Sequence, residues 1–220
     1  VVIGAPNSGK SRIVAELTKA DPEVADYPFT TRNPFPAMMS CNDVLVQLVD
    51  TPPISHTPIE PYMVNYVRTA DLVVLAFDGS ADDAPEDTLN VIHQLETRKS
   101  LLSQKTGYDD GDFSTLRIQT LLAVTRAADE DVDLRVSLLN EISSHQLPTV
   151  RVEFHRESSA NSLRHVIYDS LNLIRVFTKA PGKTAVYEAP FAIPVGSTIE
   201  TLAERVHHDF VDRLKFARLW

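Results

Sequence analysis

Cysteine, long apolar runs and an excess of positive charge are scarce or absent in this sequence. Its 220 residues include one cysteine, Cys41, so no disulfide can form within the chain. The longest apolar run, Leu72 to Phe77, is far shorter than the roughly 18 residues that a membrane helix needs, and the first residues show no signal-peptide pattern. The histidines lack zinc-type spacing with cysteine. These absences predict a cytoplasmic protein that has no membrane partner and no zinc site.

The net charge of −9 argues against a protein whose whole surface coats nucleic acid. Residues 173–220 differ from the rest, because they contain seven Lys and Arg against five Asp and Glu. Either an RNA contact or an ordinary solvated surface explains so small an excess. The sequence also begins within an apolar stretch and stops in one at Trp220, from which we expect further sequence beyond each end.

Strand and helix patterns alternate from the start of the chain to about residue 172. Apolar runs typical of buried strands occur at residues 43–51, 70–78, 120–126 and 149–154. Helical patterns lie between them, including one over residues 86–102. Residues 104–115, rich in Gly, Asp and Ser, are predicted to form a mobile loop. The alternation predicts an α/β domain with a mostly parallel sheet and helices on both faces.

The pattern changes after Leu173. Residues 174–179 and 191–196 are typical of strands, and the segment from Ser197 to residue 210 is typical of a helix. Ser197, followed three residues later by Glu200, forms a capping-box pattern that predicts the start of this helix. We therefore predict two domains, residues 1–172 and residues 173–220, of which the second is a small α+β unit.

The clearest functional motif is GAPNSGKS, Gly4 to Ser11, which fits GxxxxGK[ST] between a strand and an amphipathic helix. Its glycines let the backbone curl around phosphate oxygens, and its N–H groups are expected to face a β-phosphate at the helix N-terminus. Lys10 is predicted to neutralise β- and γ-phosphate oxygens, and the Ser11 hydroxyl to bind Mg²⁺. The predicted nucleotide-binding residues here are Asn7, Ser8, Gly9, Lys10, Ser11 and Arg12.

The stretch ADYPFTT, Ala25 to Thr31, lies between the first helix and the next strand. A threonine at this place can bind Mg²⁺ through its hydroxyl while its N–H meets a γ-phosphate. The stretch resembles the first-switch motif of the Obg/DRG family of translation-factor-class GTPases. In that family pattern the second threonine is the metal ligand, so the resemblance implies this role for Thr31.

The C-terminal unit extends the resemblance. IRVFTKAPG, IPVGSTIETLAERVHHDF and KFARLW look like the TGS domain, a ubiquitin-like β-grasp module that follows the GTPase domain in DRG proteins. The resemblance implies a P-loop GTPase domain at residues 1–172 and a TGS domain at residues 173–220. It also implies contact with the ribosome or RNA. A β-grasp fold needs further strands after Trp220, so the TGS domain is expected to be incomplete.

The resemblance breaks at DTPPIS, Asp50 to Ser55. In the family pattern Asp-x-x-Gly, the aspartate holds a water on Mg²⁺ and the glycine N–H contacts the γ-phosphate. Asp50 therefore keeps the metal role. Pro53 takes the glycine position, and proline has no N–H and a φ fixed near about −65°. The sequence predicts that one γ-phosphate donor is missing and that hydrolysis is weak.

The base-recognition motif is also altered. The family pattern Asn-Lys-x-Asp falls on Thr125, Arg126 and, at the aspartate position, Ala128. Asp129 lies one residue late. A local bulge would bring it to the base, and without one guanine selectivity would be lost. Arg126 is expected to stack over a purine. The predicted base-contact residues are Thr125, Arg126 and Asp129, with the role of Asp129 left open.

Three functions remain open on the sequence alone. The first is a GTP-binding protein of the Obg/DRG type that binds GTP or GDP with Mg²⁺, hydrolyses GTP weakly and acts with the ribosome or RNA. The second is a non-catalytic nucleotide-binding module that docks a partner through its TGS domain. The third is an ATPase, which the base motif does not favour. Apart from the charge of Lys10, no residue is indicated as catalytic, and the sequence indicates no oligomeric state.

Overall fold

The computed structural model describes residues 1–18, 33–109, 111–143, 146–154, 156–179, 183–184, 187 and 189–218. The chain divides into two compact units, of which the first comprises Val1–Met39 and Gln47–Ile167. The second unit comprises Ser40–Val46 and Tyr168–Trp220. The predicted first-switch segment, with its metal ligand Thr31, lies outside the described residues.

Strands and helices alternate through most of the described chain. In chain order they are β1 Val2–Gly4, α1 Lys10–Thr18, β2 Phe35–Cys41, β3 Val44–Asp50, α2 Pro61–Arg68, β4 Val73–Asp78, α3 Ala84–Glu96, β5 Ser100–Ser103, β6 Gly107–Tyr108, β7 Leu116–Thr125, α4 Val132–Ile142, β8 Thr149–Val152, α5 Glu157–Ser170, β9 Leu173–Val176, β10 Phe191–Pro194, α6 Ile199–Val206 and α7 Asp209–Arg213.

Strands β1 to β8 form one sheet within the described part of the chain. Its order is β2-β3-β1-β4-β7-β5, and β6 and β8 also pair with β7. The pairs β1–β3, β1–β4, β4–β7, β5–β7 and β7–β8 are parallel, whereas β6 runs antiparallel to β7. The prediction of an α/β fold with a mostly parallel sheet is confirmed. The carboxyl ends of β1, β3, β4, β7 and β8 therefore meet at one edge of the sheet, where open α/β sheets bind ligands.

Helices cover both faces of this sheet. One large core cluster joins α2, α3 and α4 to alternate strand residues such as Leu75, Phe77 and Val124. The intervening residues Val74 and Ala123 are also buried but lie outside that cluster, because successive strand residues point to opposite faces. Helices α1 and α5 contribute no residue to it, and Nη2 of Arg164 in α5 donates to a carbonyl of α1. We conclude that α1 and α5 cover the second face.

Two element predictions for the middle of the chain are confirmed only in part. The helix predicted over residues 86–102 ends at Glu96, because Lys99 takes a left-handed φ of +56° and the following apolar residues pair with β7. The loop predicted over residues 104–115 contains the short strand β6. Alternating burial in β5 was too short a signal to separate a strand from the end of a helix.

In the second unit, β9 and β10 form an antiparallel pair in which Ile193 lies opposite Ile174. Helix α6 follows β10, and its N-cap is Thr198, whose Oγ1 accepts the N–H of Thr201 at 3.2 Å. The predicted cap at Ser197 is therefore wrong by one residue, because the side chain that bonds the first helical turn belongs to Thr198. None of the described helices combines the length and apolar character needed to cross a membrane.

Candidate nucleotide-binding site

The P-loop, Gly4–Ser11, turns between β1 and α1 with three residues at positive φ. These are Gly4 at +153°, Asn7 at +59° and Gly9 at +92°. A Cβ on Gly4 would lie 2.7 Å from the carbonyl oxygen of Ala76, and one on Gly9 would lie 2.9 Å from Cγ2 of Thr125. Both glycines are thus required by close contacts with β4 and β7 as well as by backbone conformation.

Lys10 begins α1, and its side chain lies within the P-loop. Its Nζ donates to the carbonyl oxygen of Ala5 at 2.7 Å, and the residue is only 6% exposed. Burial lowers the pKa of Lys10 to about 8, although the nearby charge of Asp50 opposes this shift. An incompletely compensated buried cation favours an anionic ligand, because an anion satisfies the ammonium better than one carbonyl does.

The predicted metal ligands Ser11 and Asp50 meet at the carboxyl ends of β1 and β3. Ser11 Oγ donates to Asp50 Oδ2 at 2.7 Å, and Asp50 is almost completely buried. A hydroxyl and a carboxylate are the hard oxygen donors that Mg²⁺ prefers, so the residues fit this ion. Within the described ranges no three His, Cys, Asp or Glu residues cluster as a metal site. Mg²⁺ here would accordingly depend on waters and nucleotide oxygens to complete its shell.

Residues 51–60, which we call the second switch segment, form hydrogen bonds with several other parts of the protein. Thr51 Oγ1 donates to the carbonyl of Val2 at 2.7 Å, and the N–H of Ile54 donates to the carbonyl of Gly4 at 3.1 Å. Farther along, the carbonyl of Ser55 accepts from Nδ2 of Asn90 at 3.0 Å and also from the side-chain amide of Gln94 in α3. The N–H group that follows Pro53 therefore bonds the P-loop backbone.

Two of the predicted base-contact residues, Thr125 and Arg126, bond the P-loop backbone. Buried Thr125 shares its single hydroxyl proton between two acceptors, the carbonyl oxygens of Ser8 and Phe77, which lie 3.0 and 3.1 Å from Oγ1. The guanidinium of Arg126 lies 3.2 and 3.3 Å from the carbonyl oxygen of Asn7 and forms an ion pair with Asp78. Thr125 and Arg126, which stand where the family pattern has asparagine and lysine, thus connect the end of β7 to the P-loop. Stacking of Arg126 on a purine stays a prediction.

Asp129 and Arg12 have side-chain partners of their own. Oδ1 of Asp129 accepts from Nη1 of Arg135 at 2.6 Å. Arg12 lies near the start of α1, where its guanidinium carbon is 5.9 Å from the ring centroid of Phe154 and its Nη2 is 2.5 Å from Glu16. The ring of Phe154, from the loop after β8, therefore lies beside the first turn of α1.

Sequence reasoning missed three contributors to this site, namely Asp78, Gly79 and Arg135. A Cβ on Gly79 would lie 2.7 Å from the carbonyl oxygen of Thr125, so glycine is needed where the ends of β4 and β7 meet. The Asp-Gly pair directly after a buried strand was a usable signal. No signal in the sequence indicated Arg135, because its acceptor Asp82 lies 53 positions away.

The described fold and P-loop geometry are those of a P-loop nucleotide-binding domain, and a family comparison agrees. Residues 1–106, just under half of the chain, match the family model described as 50S ribosome-binding GTPase. The computed structure is also similar to that of an NFeoB variant of S. thermophilus bound to GDP and AlF₄⁻, with 17% identity over 79% of this chain and 63% of that chain. The TM-score of 0.48 is too low for this second similarity to carry an argument.

Curated relatives extend the similarity to nearly the whole chain. GTP-binding protein 1 of Schizosaccharomyces pombe is 23% identical over 99% of this chain and 74% of its own length. Developmentally-regulated G-protein 1 of Arabidopsis thaliana is 22% identical over 100% of this chain and 68% of its own length. The chain is thus similar over nearly its whole length to proteins named as GTP-binding or developmentally-regulated G-proteins.

Proposed function

We propose that the chain binds GTP and GDP with Mg²⁺ at its P-loop and is a GTPase with weak intrinsic hydrolysis. The observation that carries this proposal is the junction of Lys10, Ser11 and Asp50 at the ends of β1 and β3. There the buried ammonium of Lys10 interacts electrostatically with the buried carboxylate of Asp50, which also accepts the hydroxyl of Ser11. A triphosphate and a divalent cation need these charges in one place.

Each residue has a separate part in binding. The P-loop N–H groups and Lys10 would hold the β-phosphate and neutralise the oxygens that gain charge during phosphoryl transfer. Ser11 and Asp50 would orient Mg²⁺, which supplies charge neutralisation at the β- and γ-phosphates when bound. Thr125 and Arg126 support the P-loop from β7 through its Ser8 and Asn7 carbonyls. Weak hydrolysis follows because Pro53 has no N–H for the γ-phosphate.

A second candidate function is a nucleotide-binding module without catalysis. It is favoured by the contact between the Ile54 N–H and the Gly4 carbonyl at 3.1 Å. The N–H of Ile54, the first one after Pro53, is already used in this bond. If a small shift of the second switch segment moved that N–H to the γ-phosphate, the bond to Gly4 would be lost. Such a protein would bind GDP and GTP alike and would act through a partner.

The proposal includes a role for the second unit. Its resemblance to a TGS domain supports contact with the ribosome or RNA in the cytoplasm. The family model described as 50S ribosome-binding GTPase matches residues 1–106, so it supports a ribosomal role through the first unit. Pelleting the full chain with purified ribosomes tests this part directly. Absence from the ribosomal pellet at low salt, in both the GDP and the GTPγS state, would contradict it.

Calorimetry with GDP, GTPγS, ADP and ATPγS in the presence of Mg²⁺ tests the nucleotide assignment. Tighter GTPγS than ATPγS binding together with measurable phosphate release from GTP supports the GTPase. Equal affinity for GDP and GTPγS without turnover supports the non-catalytic module. Failure of all four nucleotides to bind at millimolar concentration would refute both.

A further inference from the structure

Arg135 is a buried cation that joins two loops at the ligand-binding edge of the sheet. It lies in α4 with only about a tenth of its side chain exposed. Its guanidinium donates to the carbonyl of Gly79 at 2.8 Å and to Asp82 through two nitrogens, at 2.7 and 3.1 Å. Both acceptors belong to the loop between β4 and α3. The two nitrogens that contact Asp82 bond the same oxygen, Oδ1.

The same guanidinium holds Asp129 in the loop between β7 and α4. Oδ1 of Asp129 accepts Nη1 of Arg135 at 2.6 Å and the N–H of Asp131 at 3.1 Å. The bond from Arg135 is the main reason why the pKa of Asp129 lies below its usual range, so the carboxylate stays charged at neutral pH. A charge-assisted bond to a guanidinium is among the stronger contacts that a side chain makes.

The direction of this contact matters for base recognition. Arg135 belongs to α4, which packs with α3 on one face of the sheet, and its other acceptors lie at the start of α3. The P-loop instead leads into α1 on the opposite face, beside Phe154. Asp129 thus bonds a guanidinium that belongs to the α3–α4 face of the sheet.

We propose that Arg135 is a positioning residue that occupies Oδ1 of Asp129, competes with a base for this carboxylate and so keeps the base selectivity of this site low. The inference rests on the proposed nucleotide binding and concerns the base end of that same site. Recognition of guanine by a carboxylate uses both oxygens, which accept from N1–H and from the 2-amino group. With Oδ1 engaged by Arg135 and the N–H of Asp131, Asp129 would have to leave these partners first.

The test compares GDP with inosine diphosphate (IDP), which lacks the 2-amino group, by calorimetry on the full chain. We expect the wild-type protein to bind the two within about threefold of each other. Arg135→Gln releases Asp129 and should raise the preference for GDP to about tenfold or more. Adding Asp129→Asn to Arg135→Gln should remove that gain. Glu130→Gln, which removes an exposed carboxylate next to Asp129 but leaves Arg135 and Asp129 in place, should keep the wild-type ratio.

The ratio of GDP affinity to IDP affinity distinguishes a positioning role of Arg135 from a merely structural one, because general destabilisation weakens the binding of both nucleotides alike. Asp129→Asn in the otherwise wild-type chain provides an independent result if Arg135→Gln does not fold, and it should leave the ratio unchanged. A tenfold wild-type preference for GDP that Asp129→Asn abolishes would overturn the proposal. A folded Arg135→Gln variant with the wild-type ratio would do the same. If the wild-type protein binds neither nucleotide, the proposed function fails and this inference fails with it.

Discussion

The P-loop and the second switch segment follow neighbouring parallel strands, yet they differ in how much of the phosphate chemistry they retain. The P-loop has all the residue types that phosphate binding needs, with Lys10 inside the loop and Ser11 bonded to Asp50. The second switch segment has proline in place of a donor, and the N–H of Ile54 bonds the backbone of Gly4. In the proposed function, holding a diphosphate and sensing a γ-phosphate are separable, because different backbone groups would perform them.

Lys10→Ala, in the P-loop, should have the largest effect on nucleotide affinity. Removing the buried cation should weaken GDP binding by at least about 100-fold, because a phosphate would then enter the loop without a charge partner. Calorimetry measures the loss. Lys105→Ala, which removes an exposed lysine, is the matched control and should bind normally. Unchanged affinity in Lys10→Ala would refute the P-loop assignment.

The support of the P-loop by β7 can be broken with Thr125→Val. This change keeps the side-chain volume but leaves the carbonyls of Ser8 and Phe77 without their buried donor, so unfolding free energy should fall by about 1–3 kcal/mol. Urea denaturation should show a lower midpoint at an unchanged slope. Thr97→Val, at an exposed hydroxyl, should change stability by less than about 0.5 kcal/mol. Equal losses in the two variants would contradict the supporting role of Thr125.

The sheet and the P-loop could be predicted because their signals are local. Buried strands appear as continuous apolar runs, and GAPNSGKS combines glycine, lysine and serine at a spacing that few other structures require. The contact from Thr125 to Ser8 spans 117 positions, and that from Arg135 to Asp82 spans 53. No short pattern encodes such pairs, since they arise only when strands β1, β4 and β7 lie side by side.

The pH dependence of binding provides a smaller test of the same lysine. With its pKa near 8, Lys10 loses its proton above pH 8 in the free protein and must regain it to bind phosphate. GDP affinity should therefore fall by up to about tenfold per pH unit above 8, with proton uptake visible in buffers of different ionisation enthalpy.

As pH rises above 8, the free energy of unfolding of the nucleotide-free protein should change in the opposite direction to GDP affinity. The unfolded chain keeps the Lys10 proton up to its ordinary pKa of 10.5, so between about pH 8 and 10.5 the unfolded state binds more protons than the folded state. The contribution of Lys10 to unfolding free energy should accordingly rise with pH in that window. Binding without proton uptake at pH 9 would show that Lys10 stays charged in the free loop.

The smallest expected effect concerns the donor that Pro53 lacks. Pro53→Ala restores an N–H at the position that meets the γ-phosphate, so the affinity for GTPγS relative to GDP should rise by about three- to tenfold. Pro53→Gly should raise it at least as much, because it also frees φ. Pro52→Ala adds an N–H one residue earlier and should leave the ratio unchanged. If all three variants keep the wild-type ratio, the missing N–H is not what separates the two loops. In that case the hydrogen bonds of Ile54 and Ser55 would remain as the structural difference between the two loops.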